Sequence, residues 1–178
     1  VVAFGGRSIG DTLPKYINSP ETVVYNKGYH LYGLNRLRDR KNISDIIIVE
    51  GYMDALALYQ GGFKNVVASL GTALTKYQAR LIKRYAKQVF IAYDGDIAGK
   101  SATIRGLELL EKEGCKPKVV LLPENTDPDD IIRHYGPQGF QNLLKEALAL
   151  TDFKLSIAKA EVDMDTQEGK AAYAVRAS

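Results

Sequence analysis

Between residues 45 and 136, short apolar runs alternate with stretches of helical spacing, and this pattern constrains the fold most. The first run, residues 46–49, contains only β-branched side chains, as expected of a strand buried on both faces of a sheet. Strands that alternate with helices of this length form βαβ units with right-handed crossovers. We therefore predict an α/β fold with a parallel sheet flanked by helices. The predicted strands are 46–49, 65–69, 88–93 and 118–122, and the predicted helices are 53–60, 75–86 and 98–113.

The flanking segments lack this alternation. Residues 1–35 combine Gly, Tyr and Lys with turn signals, which predicts short extended pieces at the end of a mixed α/β subdomain. From Pro137 onward, apolar residues recur at helical spacing, which predicts the start of a helical subdomain. The predicted organisation is thus 1–35, 36–136 and 137–178.

The composition narrows the classes of partner and metal. The hydrophobic content of 46% is typical of a globular protein, and the net charge of +3 permits a polyanionic partner without requiring one. The one cysteine and two histidines have no zinc-site spacing, so oxygen atoms must hold any bound metal. We find no leader segment and no apolar run near the ~18 residues of a membrane span, and we expect a cytoplasmic protein without membrane contact.

Acidic residues follow the predicted strands at the edge where open α/β sheets bind ligands. Glu50 follows the first strand, Asp94 and Asp96 follow the third, and Asp127 and Asp129 lie after the fourth. Clustered carboxylates repel one another unless a cation neutralises them, and Mg²⁺ or Mn²⁺ takes such oxygen ligands. The sequence therefore predicts a divalent metal site at this edge.

Local spacing supports the same site. Asp54 stands one helical turn after Glu50, where like charges are unfavourable without a cation. Gly95 lets the backbone turn tightly between Asp94 and Asp96. Taken singly, each acid also has a structural explanation as a solvated loop residue, an N-cap or part of a turn. The metal-site hypothesis depends on their combination.

The motif Glu50-Gly51-Tyr52-Met53-Asp54, followed by Asp94-Gly95-Asp96, resembles the TOPRIM domain shared by primases, topoisomerases and some nucleases. Further motifs are similar to those of bacterial replicative primases, and this resemblance extends from residue 4 to residue 136. These motifs lie at residues 4–7, 14–22, 27–28, 31–34, 68–72 and 127–129.

The resemblance implies roles for two groups of residues. The metal-holding catalytic residues would be Glu50, Asp94 and Asp96, and the acids that complete the site would be Asp54, Asp127 and Asp129. The implied metal is Mg²⁺, with Mn²⁺ as a substitute and no zinc. The residues implied to bind nucleic acid or nucleotide are Arg7, Lys15, Tyr16, Asn18 and Lys27.

The activity implied by the resemblance is DNA-dependent RNA synthesis, in which ribonucleoside triphosphates are joined into short primers on single-stranded DNA. The family also has a zinc-binding domain and a domain that contacts the replicative helicase, and neither has a counterpart in this sequence. We expect a monomer.

Two alternatives stay open at this point. Another TOPRIM enzyme, a topoisomerase or nuclease, would use the same carboxylates to break phosphodiester bonds. A non-catalytic nucleic-acid-binding module would keep the acidic cluster for structure alone. Within the primase hypothesis, Glu50 is either a metal ligand or a general base for the attacking hydroxyl, and we favour the ligand.

Two further patterns are interpreted as structural. A basic stripe recurs at helical spacing opposite an apolar face, which predicts a solvated outer surface. Its residues are Lys76, Arg80, Lys83 and Lys87. Tyr29 and Tyr32 are interpreted as packing residues rather than nucleophiles.

Overall fold

The computed structural model of the chain describes residues 1–9, 13–14, 16–38, 43–70, 73–95, 97–160, 162 and 165–177, with the backbone alone at 97–100, 169, 172, 176 and 177. Two of the predicted site residues, Lys15 and Asp96, lie outside these ranges. Within them, no helix combines the length and the hydropathy that crossing a membrane requires.

A small antiparallel hairpin opens the described chain. It pairs β1 (Gly5–Arg7) with β2 (Tyr16–Asn18), which places Arg7 opposite Tyr16 and Gly5 opposite Asn18. Two 3-10 turns follow, at Lys27–Tyr29 and Leu34–Leu37. The prediction of short extended pieces joined by turns is confirmed for this segment.

A five-stranded sheet forms the centre of the molecule. Its strands are β3 (Asp45–Val49), β4 (Val66–Ala68), β5 (Gln88–Ile91), β6 (Lys116–Val119) and β7 (Leu148–Ala149). Their order is β4-β3-β5-β6-β7; the first four are parallel, and β7 is antiparallel to β6. The chain therefore winds outward from β3 in both directions, which creates a crevice between the carboxyl ends of β3 and β5.

Helices cover both faces of this sheet. They are α1 (Tyr52–Gln60), α2 (Lys76–Lys83), α3 (Ile97–Lys112), α4 (Pro128–Lys145), α5 (Leu150–Ala160) and α6 (Gln167–Ala177). Helices α1 and α4 contribute to one hydrophobic core, and α2, α3 and α5 contribute to the other. The predicted α/β architecture is confirmed.

Strand β3 shows why the fold needs a continuous apolar run. Its Ile46 and Ile48 belong to the core under α2 and α3, whereas Ile47 and Val49 belong to the core under α1. Successive strand side chains point to opposite faces, so a strand covered on both faces must be apolar at every position.

Several predicted element limits were wrong, among them the end of α2, at Lys83 rather than residue 86, and the end of β5, at Ile91 rather than residue 93. Three further differences have a local physical cause. Strand β6 begins at Lys116 rather than at residue 118, because its side chains alternate between exposed and buried and form no continuous apolar run. Leu148, predicted to be helical, lies in β7 and pairs with Val119. Helix α4 begins at Pro128 rather than at Pro137, because the Asp-Pro-Asp motif, for which a turn was one structural explanation, is a helix start with Pro at its first position.

Helix α4 is kinked at Gly136, whose φ of 65° and ψ of −177° are not helical. The following Pro137 cannot donate a backbone hydrogen bond and disfavours a helical conformation at the preceding residue. The predicted domain limit after residue 136 falls at this kink. The two predicted domain limits, after residues 35 and 136, stay predictions. Residues 148–149 of the predicted helical segment are part of the central sheet.

Candidate metal and nucleic-acid site

The predicted acidic residues lie in the loops at the carboxyl ends of β3, β5 and β6. Glu50 directly follows β3, and its carbonyl oxygen accepts a 2.9 Å hydrogen bond from the backbone N–H of Leu70, which follows β4. Asp94 follows β5, and Glu50 and Asp94 are both partly buried. Because β3 and β5 are neighbours, these two acids flank the crevice between them.

Asp54 is the most enclosed of the described acids, with 8% of its surface exposed. Its Oδ2 accepts a 3.1 Å hydrogen bond from the backbone N–H of Gly51, which fixes the carboxylate at the start of α1. The backbone N–H of Asp129 donates a second hydrogen bond to it. Asp54 thus connects α1 to the start of α4.

The electrostatics of Asp54 show that acids from three loops come together. Burial, followed by the charges of Asp127 and Asp94, raises the pKa of Asp54 to about 7, against the lowering effect of its two backbone hydrogen bonds. An ionised carboxylate here is unfavourable unless a positive charge accompanies it.

Gly95 fastens the loop after β5 to the loop after β6. Its N–H donates a 3.3 Å hydrogen bond to the carbonyl of Thr126. A Cβ atom at this position would lie 2.5 Å from the carbonyl oxygen of Pro123, so no other residue fits without moving the backbone. This contact brings the Asp94 loop and the Asp127 loop side by side.

Asp127 and Asp129 both have structural partners. Asp127 is the N-cap of α4, and its Oδ1 accepts a 2.7 Å hydrogen bond from the N–H of Asp130. Asp129 forms a 2.6 Å ion pair with Arg133, one helical turn further on. A carboxylate has about four acceptor sites, so neither partner exhausts its oxygens.

The donor chemistry suits a hard divalent cation, because every predicted ligand offers oxygen, and burial together with the charges of neighbouring acids raises the pKa of Asp54. In the described part of the chain, which leaves out Asp96, no three His, Cys, Asp or Glu residues form a group able to hold a metal ion. The charges of Asp127 and Asp94 act on Asp54, but the described acids alone do not form such a group, so the assignment of all six predicted ligands stays a prediction.

The N-terminal hairpin packs against the same acidic motif through Tyr52, the first residue of α1. The rings of Tyr16 and Tyr52 meet edge to face at 5.7 Å, and the guanidinium carbon of Arg7 lies 5.6 Å from the centre of the Tyr16 ring. A Cβ on Gly5 would lie 3.0 Å from the side-chain oxygen of Asn18 and 3.1 Å from the Tyr52 ring. Three predicted nucleic-acid residues, Arg7, Tyr16 and Asn18, thus lie beside the motif that begins at Glu50.

Lys27 lies in a different part of the surface, on the 3-10 turn that packs against the start of α2. The fully buried Gln78 fastens this turn, because its Nε2 donates to the carbonyls of Lys27 at 2.9 Å and His30 at 2.8 Å. Thr75 adds a 2.5 Å hydrogen bond from its hydroxyl to the carbonyl of Gly28. Since α2 follows β4, its first turn lies at the same edge of the sheet as the acids.

Sequence reasoning missed three positioning residues: Gly95 as a contact with Pro123, Tyr52 as the support of the hairpin, and Gln78 as the anchor of the Lys27 turn. Gly95 and Tyr52 lie inside the recognised motifs, so those motifs carried a usable signal. Gln78 gave a local signal only, as the third helical residue after the N-cap Thr75, whose N–H donates to its Oε1 at 2.9 Å.

Two family models match separate parts of the chain. A Toprim-like model matches residues 47–132, and the model of the DNA primase catalytic core, N-terminal domain, matches residues 1–38. The first match covers most of the four parallel strands and the acidic loops, and the second covers the hairpin and the Lys27 turn. The Toprim match implies use of a divalent metal, and neither match corresponds to a zinc-binding domain.

Curated relatives and solved structures agree with these matches. The DNA primase of Clostridium acetobutylicum is 48% identical over 174 residues, which cover 97% of this chain and 29% of that protein. A DNA primase domain from Pseudomonas aeruginosa is similar in structure, with a TM-score of 0.83, 40% identity, and coverage of 98% of this chain and 56% of that one. A DnaG primase catalytic domain bound to single-stranded DNA has a TM-score of 0.83 and 38% identity, with coverage of 96% and 55%.

This chain therefore spans about 29% of the length of the first of these relatives. The relatives and solved structures named above are all DNA primases, and their matches include the hairpin, the sheet and the acidic loops. The chain belongs to the family of bacterial DNA primases, and it corresponds to part of their catalytic core.

Proposed function

We propose that this chain carries the active centre of a DNA primase, a DNA-dependent RNA polymerase that synthesises short RNA primers on single-stranded DNA from ribonucleoside triphosphates. The observation that supports it best is Asp54, a carboxyl whose pKa is raised by burial and by the charges of acids from two other loops. Such a cluster, beside a basic and aromatic hairpin, suits a reaction between two negatively charged substrates.

The proposed metal ligands lie in the acidic loops, and the metal is Mg²⁺ or Mn²⁺. When bound, the metal would lower the pKa of a primer hydroxyl and neutralise charge that develops on the phosphates. Glu50 is proposed as a ligand because it follows β3 directly at the crevice. The proposed ligands are Glu50, Asp54, Asp94, Asp96 and Asp127, and Asp129 completes the acidic site beside them.

The ion pair of Asp129 separates it from the proposed ligands. To bind a metal directly with the oxygen that contacts Arg133, Asp129 would have to give up a 2.6 Å pair. We propose that Asp129 contributes mainly through its backbone N–H, which positions Asp54. The carboxylate of Asp129 would stay paired with Arg133, one turn further along α4.

The hairpin would bind the polyanionic substrates. The exposed guanidinium of Arg7 can contact a phosphate without losing its support on the Tyr16 ring. Tyr16 is 41% exposed, which leaves part of its ring available for a base. Lys15 and Asn18 are proposed to act with them, and Lys27 is proposed to contact a phosphate further along the strand.

The partners of the full-length relatives are proposals for this chain. The DnaG catalytic domain with single-stranded DNA, and a Mycobacterium tuberculosis domain with a double-stranded oligomer carrying a 6-nucleotide overhang, support the inference that this chain binds single-stranded and primed DNA. We infer action as a monomer, with the replicative helicase contacted through a domain outside this sequence.

The test replaces the matching 174 residues of the Clostridium acetobutylicum primase with this chain. We expect this chimaera to make short RNA from ribonucleotides on single-stranded DNA in the presence of Mg²⁺. The matched control is the same chimaera with Asp94→Asn, which keeps the size of the side chain but removes its charge and should abolish synthesis. A folded chimaera that binds DNA without making RNA, or an active Asp94→Asn chimaera, would contradict the proposal.

The substitution Asp94→Asn should also show whether Asp94 binds a metal or has only a structural role. Without metal, the substitution relieves repulsion on Asp54 and should preserve or raise the melting temperature. Added Mg²⁺ stabilises the state it binds, so it should raise the melting temperature of the unsubstituted chain more than that of the variant. Thermal melts of both proteins are compared in EDTA and in Mg²⁺. If Mg²⁺ raises the two melting temperatures equally, Asp94 is not a metal ligand.

A further inference from the structure

Tyr29 and Tyr77 form an exposed aromatic pair beside the acidic edge of the sheet. Their ring centres are 4.2 Å apart and their planes are inclined by 32°. Half of each residue is exposed, 50% for Tyr29 and 52% for Tyr77. The sequence predicted a packing role for Tyr29, and the structure shows a ring that packs on one side and faces solvent on the other.

This pair is not needed to attach the Lys27–Tyr29 turn to α2. Gln78 and Thr75 already join the turn to the helix through hydrogen bonds to the carbonyls of Lys27, Gly28 and His30. The 3-10 turn and the start of α2 thus form one rigid support, which carries Tyr29 on the turn and Tyr77 on the helix. Rigid, pre-positioned rings suit a binding surface because little side-chain entropy is lost on binding.

The charge around the pair is suited to a polyanion. Lys76 immediately precedes Tyr77 and is exposed, and Lys27 begins the 3-10 turn that contains Tyr29. The neighbouring acid, Glu21, uses its carboxylate for the backbone N–H of Lys27 and the side chain of Asn26, both at 3.2 Å. A ligand with aromatic faces and regularly spaced phosphates would match this surface.

We propose that Tyr29 and Tyr77 form a stacking platform for a base of the single-stranded DNA template, with Lys27 and Lys76 contacting the flanking phosphates. This proposal rests on the proposed primase function, and it extends the DNA path from the hairpin and acidic loops to the first turn of α2. Stacking is tolerant of sequence because every base has an aromatic face.

The absence of tryptophan from this chain allows a direct test. Tyr77→Trp introduces the one tryptophan of the chain, which can be excited separately from the tyrosines, and stacking with an oligo(dT) strand should quench its emission. The matched control is Tyr135→Trp, which replaces an exposed tyrosine of α4, a helix of the opposite sheet face, and should not be quenched. A blunt duplex should leave both signals unchanged, because its bases are already stacked.

Affinities measured by anisotropy of a labelled oligo(dT) provide the second arm. Tyr77→Ala and Tyr29→Ala should each weaken binding by roughly 5-fold or more, and Tyr77→Phe should not, because the ring remains. The salt dependence should stay the same in the tyrosine variants, whereas Lys76→Gln should lower its slope by about 0.7. Unchanged melting temperatures would show that the variants are folded.

The outcomes distinguish the platform from the function. Quenched emission in the Tyr77→Trp variant, together with weaker binding by Tyr77→Ala, supports the platform. If the Tyr77→Trp variant binds oligo(dT) strongly without quenching and Tyr77→Ala binds it as tightly as the unsubstituted chain, the platform is overturned and the proposed function stays intact. A folded, unsubstituted chain that does not bind oligo(dT) overturns both.

Discussion

Gly95 leaves no room for a methyl group, because a Cβ would lie 2.5 Å from the carbonyl oxygen of Pro123. We predict that Gly95→Ala forces the loops after β5 and β6 apart and separates Asp94 from Asp127. Mg²⁺ should then raise the melting temperature less than it does in the unsubstituted chain, and unfolding by urea should show a loss of about 1–3 kcal/mol.

The matched control for this substitution is Gly6→Ala, since a Cβ at Gly6 would meet nothing within 4 Å. This variant should keep both the stability and the response to Mg²⁺. If Gly95→Ala responds to Mg²⁺ as fully as Gly6→Ala does, the contact with Pro123 does not position the acids.

Asp54 should make the metal-free chain less stable as the pH rises. Its folded-state pKa of about 7 lies above the value near 4 expected when unfolded, so the folded chain binds more protons between these two values. The contribution of Asp54 to stability is therefore largest below pH ~4 and falls until pH ~7, by an amount on the order of a few kcal/mol. Urea unfolding in EDTA at pH 5 and pH 8 measures this loss.

Asp54→Asn should remove most of this pH dependence, because asparagine can still accept the N–H of Gly51 and carries no charge. Asp152→Asn, at an exposed position in α5, should keep it. Parallel stability profiles for the unsubstituted chain and Asp54→Asn between pH 5 and pH 8 would show that Asp54 titrates normally.

At the level of the elements, Gln78 joins α2 to the Lys27–Tyr29 turn. We predict that Gln78→Leu, which fills similar space, leaves the carbonyls of Lys27 and His30 and the N–H of Thr75 without these hydrogen bonds. The expected loss is about 1–3 kcal/mol or more in urea unfolding, since buried groups left unpaired are costly. Hydrogen exchange at residues 27–30 should become faster as the turn separates from the helix.

Gln141→Leu on the exposed surface of α4 is the control, and its stability should change by less than about 0.5 kcal/mol. If Gln78→Leu is equally mild, Thr75 alone is sufficient to hold the turn.

An element could be predicted when its own residues determine its conformation, and could not when a distant segment does. Strand β3 was predictable because burial on two faces demands an apolar residue at every position. Strand β7 was not, because its two residues, Leu148 and Ala149, also suit a helix and become a strand only by pairing with β6. The edge that gathers the acids followed from sheet topology, whereas the Gly95 and Gln78 contacts join segments that are distant in the chain.

At the scale of the whole molecule, a net charge of +3 is too small to attract DNA by itself, so the affinity should depend on particular residues. We predict that Arg7→Ala weakens binding to single-stranded DNA and lowers the slope of log affinity against log salt by about 0.7. Mg²⁺ binding should be unaffected, because Arg7 supports the hairpin rather than the acids.

The control is Arg105→Ala, which removes an equal charge from an exposed position of α3. Its salt slope should match that of the unsubstituted chain, as measured by anisotropy titrations at several salt concentrations. Equal slopes for all three proteins would make Arg7 an ordinary surface charge.

Within the segment that the Toprim-like model matches, β4 and β6 are the outermost strands of the sheet. Residues from outside this segment pair with each of them. Tyr32 exchanges two backbone hydrogen bonds with Ala68 on the β4 side, at 2.9 and 3.0 Å, and β7 pairs with β6 on the other side. An unprotected strand edge is a template for pairing with another molecule. A fragment cut to residues 47–132 would therefore leave the outer edges of β4 and β6 unpaired, so the segment that carries Tyr32 and strand β7 also protect the sheet against aggregation.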